Sequence, residues 1–198
     1  GDPRARLAEA AGSVDTALAE EPGDLSTLAL SGTIGQQRGE AEVARDGDPE
    51  PHFARAIGAY RTLTARDPDE PANWGLASRA AGALARWQAD HGGDARAGHA
   101  EALAWAEAGL ARIPGHPGLV IQRVKSLREL AEATPLESRA VPLAAAVAAA
   151  DTALEAQPTD AFLRRERADV RLAQAELATA AGDDPSAFLR GAIADLDA

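Results

Sequence analysis

This chain has no cysteine, no methionine and one lysine, and its aromatic residues are three Phe, one Tyr and three Trp. Without cysteine there is no disulfide, no thiolate zinc site and no cysteine nucleophile, and the redox compartment stays open. So few aromatic and β-branched residues exclude an all-β fold. Long apolar runs are missing too: the longest, Val141–Ala150, is interrupted by Pro142 and too short to cross a bilayer. No basic stretch followed by an apolar one opens the chain, so nothing marks it for secretion and a cytoplasmic protein is expected. Lacking methionine, the sequence does not begin at a translational start and reads as a piece of something longer.

What it has instead is alanine, 50 of 198 residues. That much alanine favours helices packed closely through small side chains, an all-α fold. The net charge of −11 argues against nucleic-acid binding, which depends on neutralising phosphates with Lys and Arg. The acidity itself reads as solubility. Of the basic residues, Lys125 is the single lysine and the rest are arginine.

The chain repeats. Gly1-Asp2-Pro3-Arg4 recurs as Gly47-Asp48-Pro49-Glu50 and as Gly93-Asp94-Ala95-Arg96, at intervals of 46 residues. A weaker start lies at Glu137, after Thr134-Pro135, and Asp183-Asp184-Pro185 opens a last half-unit. Pro22, Pro68, Pro114 and Pro158 each fall 21 residues after a start. Two punctuation series in step define units 1–46, 47–92, 93–136 and 137–182 with a half-unit 183–198, about four and a half repeats in one domain.

Core positions keep step as well. Leu7, Phe53, His99, Leu143 and Leu189 are followed four residues on by Ala11, Ile57, Leu103, Val147 and Ile193. Three further come Val14, Tyr60, Ala106, Ala150 and Leu196, then Leu18, Thr64, Leu110 and Leu154. These steps trace one face of an α-helix. Asp2, Asp48 and Asp184 are expected as N-caps with proline at the first helical position. A second helix follows each later proline, roughly over 25–45, 71–91, 117–133 and 161–181, opened by Asp24, Glu70, His116 or Asp160. Its inner seam is small: Gly32 and Gly39, Ser78 and Ala85, Val124 and Ala131, Ala168 and Ala175, with Leu28, Trp74 and Val120 filling the adjacent space. The expected fold is an α-solenoid of antiparallel helix pairs.

Ala56-x3-Tyr60 followed by Pro68 is similar to the end of a tetratricopeptide repeat, Trp74 falls where that family places its first Trp, and Gly32 where it places a glycine. Trp74 is followed by Ala77-Ser78 instead of Leu-Gly, Ala81 replaces the family's Tyr, and the period exceeds the usual one of about 34 residues. The elongated unit, with most of the likeness in 44–68, resembles arrays carboxy-terminal to myxobacterial-type serine/threonine protein kinases. No kinase motif is present. The resemblance implies a non-catalytic scaffold that binds a protein or peptide along a concave helical surface. The alternative it implies is a regulatory or spacer arm of a signalling enzyme such as a kinase.

No residue pattern points to catalysis or to a cofactor. His91, Asp94 and His99 flank the Gly92-Gly93 turn within reach of one metal, but without His-x-x-x-His or cysteine a closed site is not expected. His99 replaces Leu and Phe and reads as a core-edge histidine; His116 reads as a helix start. Acidic pairs read as a solvated face, and no serine has a local histidine partner. Arg164, Arg165, Arg167 and Arg171 either hold an acidic peptide or phosphate, or pair structurally with Glu166 and Asp169; the structural reading is preferred.

In tetratricopeptide arrays the Trp-bearing helix lines the groove. By that register Gln36, Gln37, Arg79, Lys125, Arg128 and Arg165 face it, interrupted by Thr33 and Asp169. A partly basic groove suits an acidic or carboxylate-ended peptide, although the asparagines of the family's carboxylate clamp are missing. Neither nucleic acid nor membrane is expected as a partner. The apolar line Leu189, Ile193 and Leu196 is expected to pack on 161–181 as a cap, or, if the outer face is apolar as well, to support self-association as a dimer or a further repeat.

Overall fold

A computed structural model describes residues 3–197, and its helices follow the two punctuation series. In chain order they are α1 (Pro3–Glu20), α2 (Leu25–Val43), α3 (Glu50–Arg66), α4 (Pro71–Asp90), α5 (Ala95–Arg112), α6 (Pro117–Glu132), α7 (Ala140–Ala156), α8 (Ala161–Ala181) and α9 (Ser186–Leu196). A short 3-10 turn, Leu136–Ser138, precedes α7, and no strand occurs among the described residues.

The odd-to-even turns share one conformation. Asp67, Ile113 and Gln157, each directly before a proline, adopt φ/ψ of −131°/75°, −127°/76° and −134°/72°. The following pyrrolidine ring bars the α conformation at those residues, so the helix stops. The next helix opens on a side-chain cap: Asp24 accepts the N–H of Thr27 at 2.7 Å, Glu70 that of Ala72 at 3.0 Å, and Asp160 that of Leu163 at 3.0 Å. His116 occupies the same place without a side-chain cap bond.

At the opposite edge α2, α4 and α8 end on a left-handed residue: Asp46 (φ 60°), Gly92 (φ 76°) and Gly182 (φ 81°). The next N–H reaches back over the last turn, Gly47 to the Glu42 carbonyl at 2.9 Å, Gly93 to Gln88 at 2.7 Å and Asp183 to Ala178 at 2.8 Å. Asp48, Asp94 and Asp184 then accept the N–H two residues on, at 2.9, 3.0 and 2.9 Å. Asp2 lies outside the described residues. Between α6 and α7 an arginine replaces this turn: Arg139 donates to the carbonyls of Thr134 and Glu132, both at 2.9 Å.

Consecutive helices pack on one another along the whole array. Even-numbered helices also touch in succession, α2 on α4, α4 on α6 and α6 on α8; no two odd-numbered helices approach as closely among the described residues. A two-layer stack with one layer in mutual contact and the other splayed curves towards the first. The even helices therefore form the concave layer of an α-solenoid of helical repeats. The tightest pairs are α2–α3, α4–α5, α6–α7 and α8–α9, so each close hairpin turns at the Gly-Asp-Pro edge.

The small-residue seam is buried in every unit, from Gly32 and Gly39 to Ala168 and Ala175. Phe53, Tyr60, Ala106, Leu143, Ala150 and Leu154 are buried on the helix face the spacing predicts. The last half-unit departs from it. Leu189, Ile193 and Leu196 are 41%, 58% and 60% exposed, while α9 turns Ala192 and Asp195 inward. Arg167 of α8 bonds Asp195 at 3.0 and 3.1 Å, and Arg171 bonds it at 2.7 Å. These charged contacts decide which face of α9 meets α8, and they outweigh the apolar line expected to do so.

Candidate partner-binding face

By repeat register one helical line runs along each even helix: Ala29, Thr33 and Gln36 on α2; Gly75, Arg79 and Gly82 on α4; Ile121, Lys125 and Arg128 on α6; Arg165, Asp169 and Leu172 on α8, with Gln36 and Gly82 buried. All six candidate residues lie on even helices, but they do not form one basic strip. Gln36 is buried and donates to Glu40 Oε1 at 2.9 Å, so it is unavailable to a ligand. Gln37, Arg79 and Arg165 are exposed. Arg79 and Arg165 have no ion-pair partner among the described residues. Arg128 is held by Glu132 at 2.6 Å and lies 4.0 Å from Glu129 Oε1.

Glu129, which is not among the six, sits in the middle of the expected strip. It is 5% exposed and gathers side chains from three helices: Arg86 of α4 at 2.8 Å, His99 of α5 at 3.4 Å and Lys125 of α6 at 4.0 Å. Burial acts to raise its carboxyl, but the His99 imidazole and the charges of Arg86 and Lys125 outweigh burial and hold it below the ordinary glutamate value. Glu166 of α8 shows the opposite balance. Burial raises its carboxyl, Arg128 and Lys125 only partly oppose that, and Asp169 and Glu129 add to it. The concave layer is thus a charge-balanced network in its centre. Its open cations are Arg79 and Arg165, with Phe162 76% exposed one turn before Arg165.

The arginine-rich stretch of α8 divides. Arg167 and Arg171 are structural, but their partners are Asp195 of α9 and, for Arg167, also Asp151 of α7 at 2.6 Å. Glu166 and Asp169 do not play that part. The histidines also separate: His91 meets Asp46 at 2.8 Å and stacks on Trp87, whereas His99 is buried against Glu129. Among the described residues no group of three His, Cys, Asp or Glu is arranged to hold a metal ion, and no helix is long and apolar enough to cross a membrane.

The buried acid has a sequence signal, visible only with the register. Glu129 aligns with Gln37 and Ala83 on the other even helices, and Gly82 and His99 leave the room and the donor beside it. Phe162 shows itself more simply, as a lone aromatic at a helix start. A scan against protein-family models found no match, and neither did a search of curated proteins.

Proposed function

We propose that this chain is a non-catalytic, tetratricopeptide-like scaffold that binds an acidic segment of a partner protein along its concave layer. The observation that carries this reading is the pair of cations left open there, Arg79 and Arg165, with Lys125 of α6 on the helix between them 4.0 Å from Glu129, in a chain of net charge −11. Exposed Phe162 adds an apolar contact beside them. Unpaired arginines on a concave surface favour carboxylates through bidentate, charge-assisted hydrogen bonds. The segment's acids meet Arg79, Lys125 and Arg165, and one apolar side chain packs on Phe162.

The elongated Gly-Asp-Pro unit favours a second setting for the same surface, the regulatory arm of a serine/threonine kinase.

A panel of labelled peptides tests the reading by fluorescence anisotropy. Peptides alternating Glu with one Leu should bind, weaken as salt rises, and weaken at least about tenfold in the Arg79→Glu/Lys125→Glu/Arg165→Glu protein. Arg112→Glu, on the exposed end of α5, should leave binding unchanged. Equal binding of acidic and basic peptides, or no loss in the triple variant, rejects the proposal.

A further inference from the structure

Between α5 and α7, over the first turns of α6 and α8, runs an open groove of about 680 Å³. Leu110 and Val120 form one wall, Ala145, Ala149 and Ala153 the other, and Pro114 closes one end. The repeat register shows what this space holds elsewhere in the chain. Val120 stands 46 residues after Trp74, and Ala149 takes the place in its unit that Trp105 takes in the unit before. In that earlier unit two indoles occupy the space, their centroids 5.9 Å apart. Here a valine and an alanine leave it empty.

The polar surroundings correspond too. Trp74 Nε1 donates to the Pro68 carbonyl at 2.8 Å. The register counterpart of that acceptor is the Pro114 carbonyl, which receives no hydrogen bond among the described residues. The Arg61 guanidinium lies 5.9 Å over the Trp105 ring. Its counterpart is Glu107, which does not line the groove but stands 3.4 Å from Arg123, which does. Asp160 also lines the groove, with Oδ1 accepting the Leu163 N–H at 3.0 Å.

We propose that this groove is a docking site for a tryptophan side chain of a partner protein. The apolar walls take the ring and the free Pro114 carbonyl takes the indole N–H. Arg123, which lines the groove and stands 3.4 Å from Glu107, is the chain's own cation there, as Arg61 is one unit earlier. The chain cannot fill the groove from position 120 with its own backbone. Gly109 is what lets Trp74 lie flat, since a Cβ there would stand 2.7 Å from Trp74 Cβ, and Ala153 replaces that glycine.

The test uses the whole 198-residue protein. It is titrated with amidated Lys-Trp-Lys, Lys-Ala-Lys and free indole while the alanine methyl signals are followed by NMR. Lys-Trp-Lys should give saturable shifts on Ala145, Ala149 and Ala153, and Lys-Ala-Lys should bind at least about tenfold more weakly. Ala149→Trp places the ring of Trp105 in the groove and should abolish Lys-Trp-Lys binding. Ala149→Leu is a smaller plug that should weaken it several-fold, and it decides the matter if the tryptophan variant loses its helical circular dichroism. No saturable shift at those methyls, equal binding of Lys-Ala-Lys, or unchanged affinity in the plugged protein overturns the proposal. Indole binding without peptide binding also overturns it, in favour of a small-molecule site.

Discussion

The ring of Tyr60 rests on the backbone of Gly32, where an added Cβ would stand 2.6 Å from Cε1 and 2.7 Å from Cζ. Tyr60 is fully buried, so the ring has no room to withdraw. Gly32→Ala gains about 1 kcal/mol of helix propensity but meets an overpacking cost of about 1–3 kcal/mol. A net loss is expected. Gly12 and Gly58 are exposed helical glycines where an added Cβ would meet nothing within 4 Å, so alanine should stabilise there by about 0.5–1 kcal/mol. Urea unfolding of the three variants checks the opposite signs. The same sign at Gly32 and Gly58 would refute this account of the packing.

Glu129 and Glu166 should respond oppositely to neutralisation. Glu129 has a folded value held below 4.5, so its stabilisation is present above the unfolded value and is lost as pH falls through the folded one. Glu129→Gln leaves Arg86 and Lys125 without their shared anion and should cost about 1–3 kcal/mol at pH 7, discounted because both cations reach solvent. Glu166 is raised above 4.5, so its ionised form opposes folding at neutral pH and that opposition disappears in acid. Glu166→Gln should raise the urea midpoint at pH 7 and leave it unchanged at pH 3. A destabilised Glu166→Gln protein at pH 7 would contradict the assignment.

His91 binds Asp46 of the preceding turn through Nε2, and the Trp87 carbonyl through Nδ1, each at 2.8 Å. The Asp46 contact, then the Trp87 carbonyl, raises its imidazole above 6.5. The cross-turn link is therefore fully present below the unfolded value near 6.5 and fades as pH rises through the folded one. An NMR titration should place the His91 midpoint above 6.5 in the native protein and lower in Asp46→Asn, which keeps a residue tolerant of the left-handed turn. An unchanged midpoint would show that Asp46 is not the cause.

Asp195 is 4% exposed in its side chain and faces two arginines of α8. Asp195→Ala leaves Arg171 without an anion and Arg167 with only Asp151 of α7. Hydrogen exchange should then accelerate throughout α9 and leave α3–α5 unchanged, because a solenoid unit senses only its neighbours. Uniform acceleration across the chain would mean that α9 supports the array globally.

The helices and their boundaries are legible in the sequence because proline, glycine and aspartate act locally: the pre-proline residue, the left-handed turn and the aspartate cap need no distant partner. The small seam is legible for a related reason, since residues seven apart share a helix face whatever lies opposite. Charge pairing is not. Glu129 reads as one more surface acid until α4 and α5 are placed beside it, and Arg128, expected to be open, proves committed to Glu132 on its own helix. The inward face of α9 escapes the sequence because periodicity reports an apolar line but not the arginines of α8 that select the other side.

The closer contact among the even helices than among the odd ones, over the described residues, has a mechanical consequence. A pull on the two ends would be resisted by the packed inner rail, while the splayed outer rail could close or spread with little loss of contact. The array then behaves as a leaf spring, with its neutral line along α2, α4, α6 and α8, and the groove between α5 and α7 widens or narrows as the spring flexes.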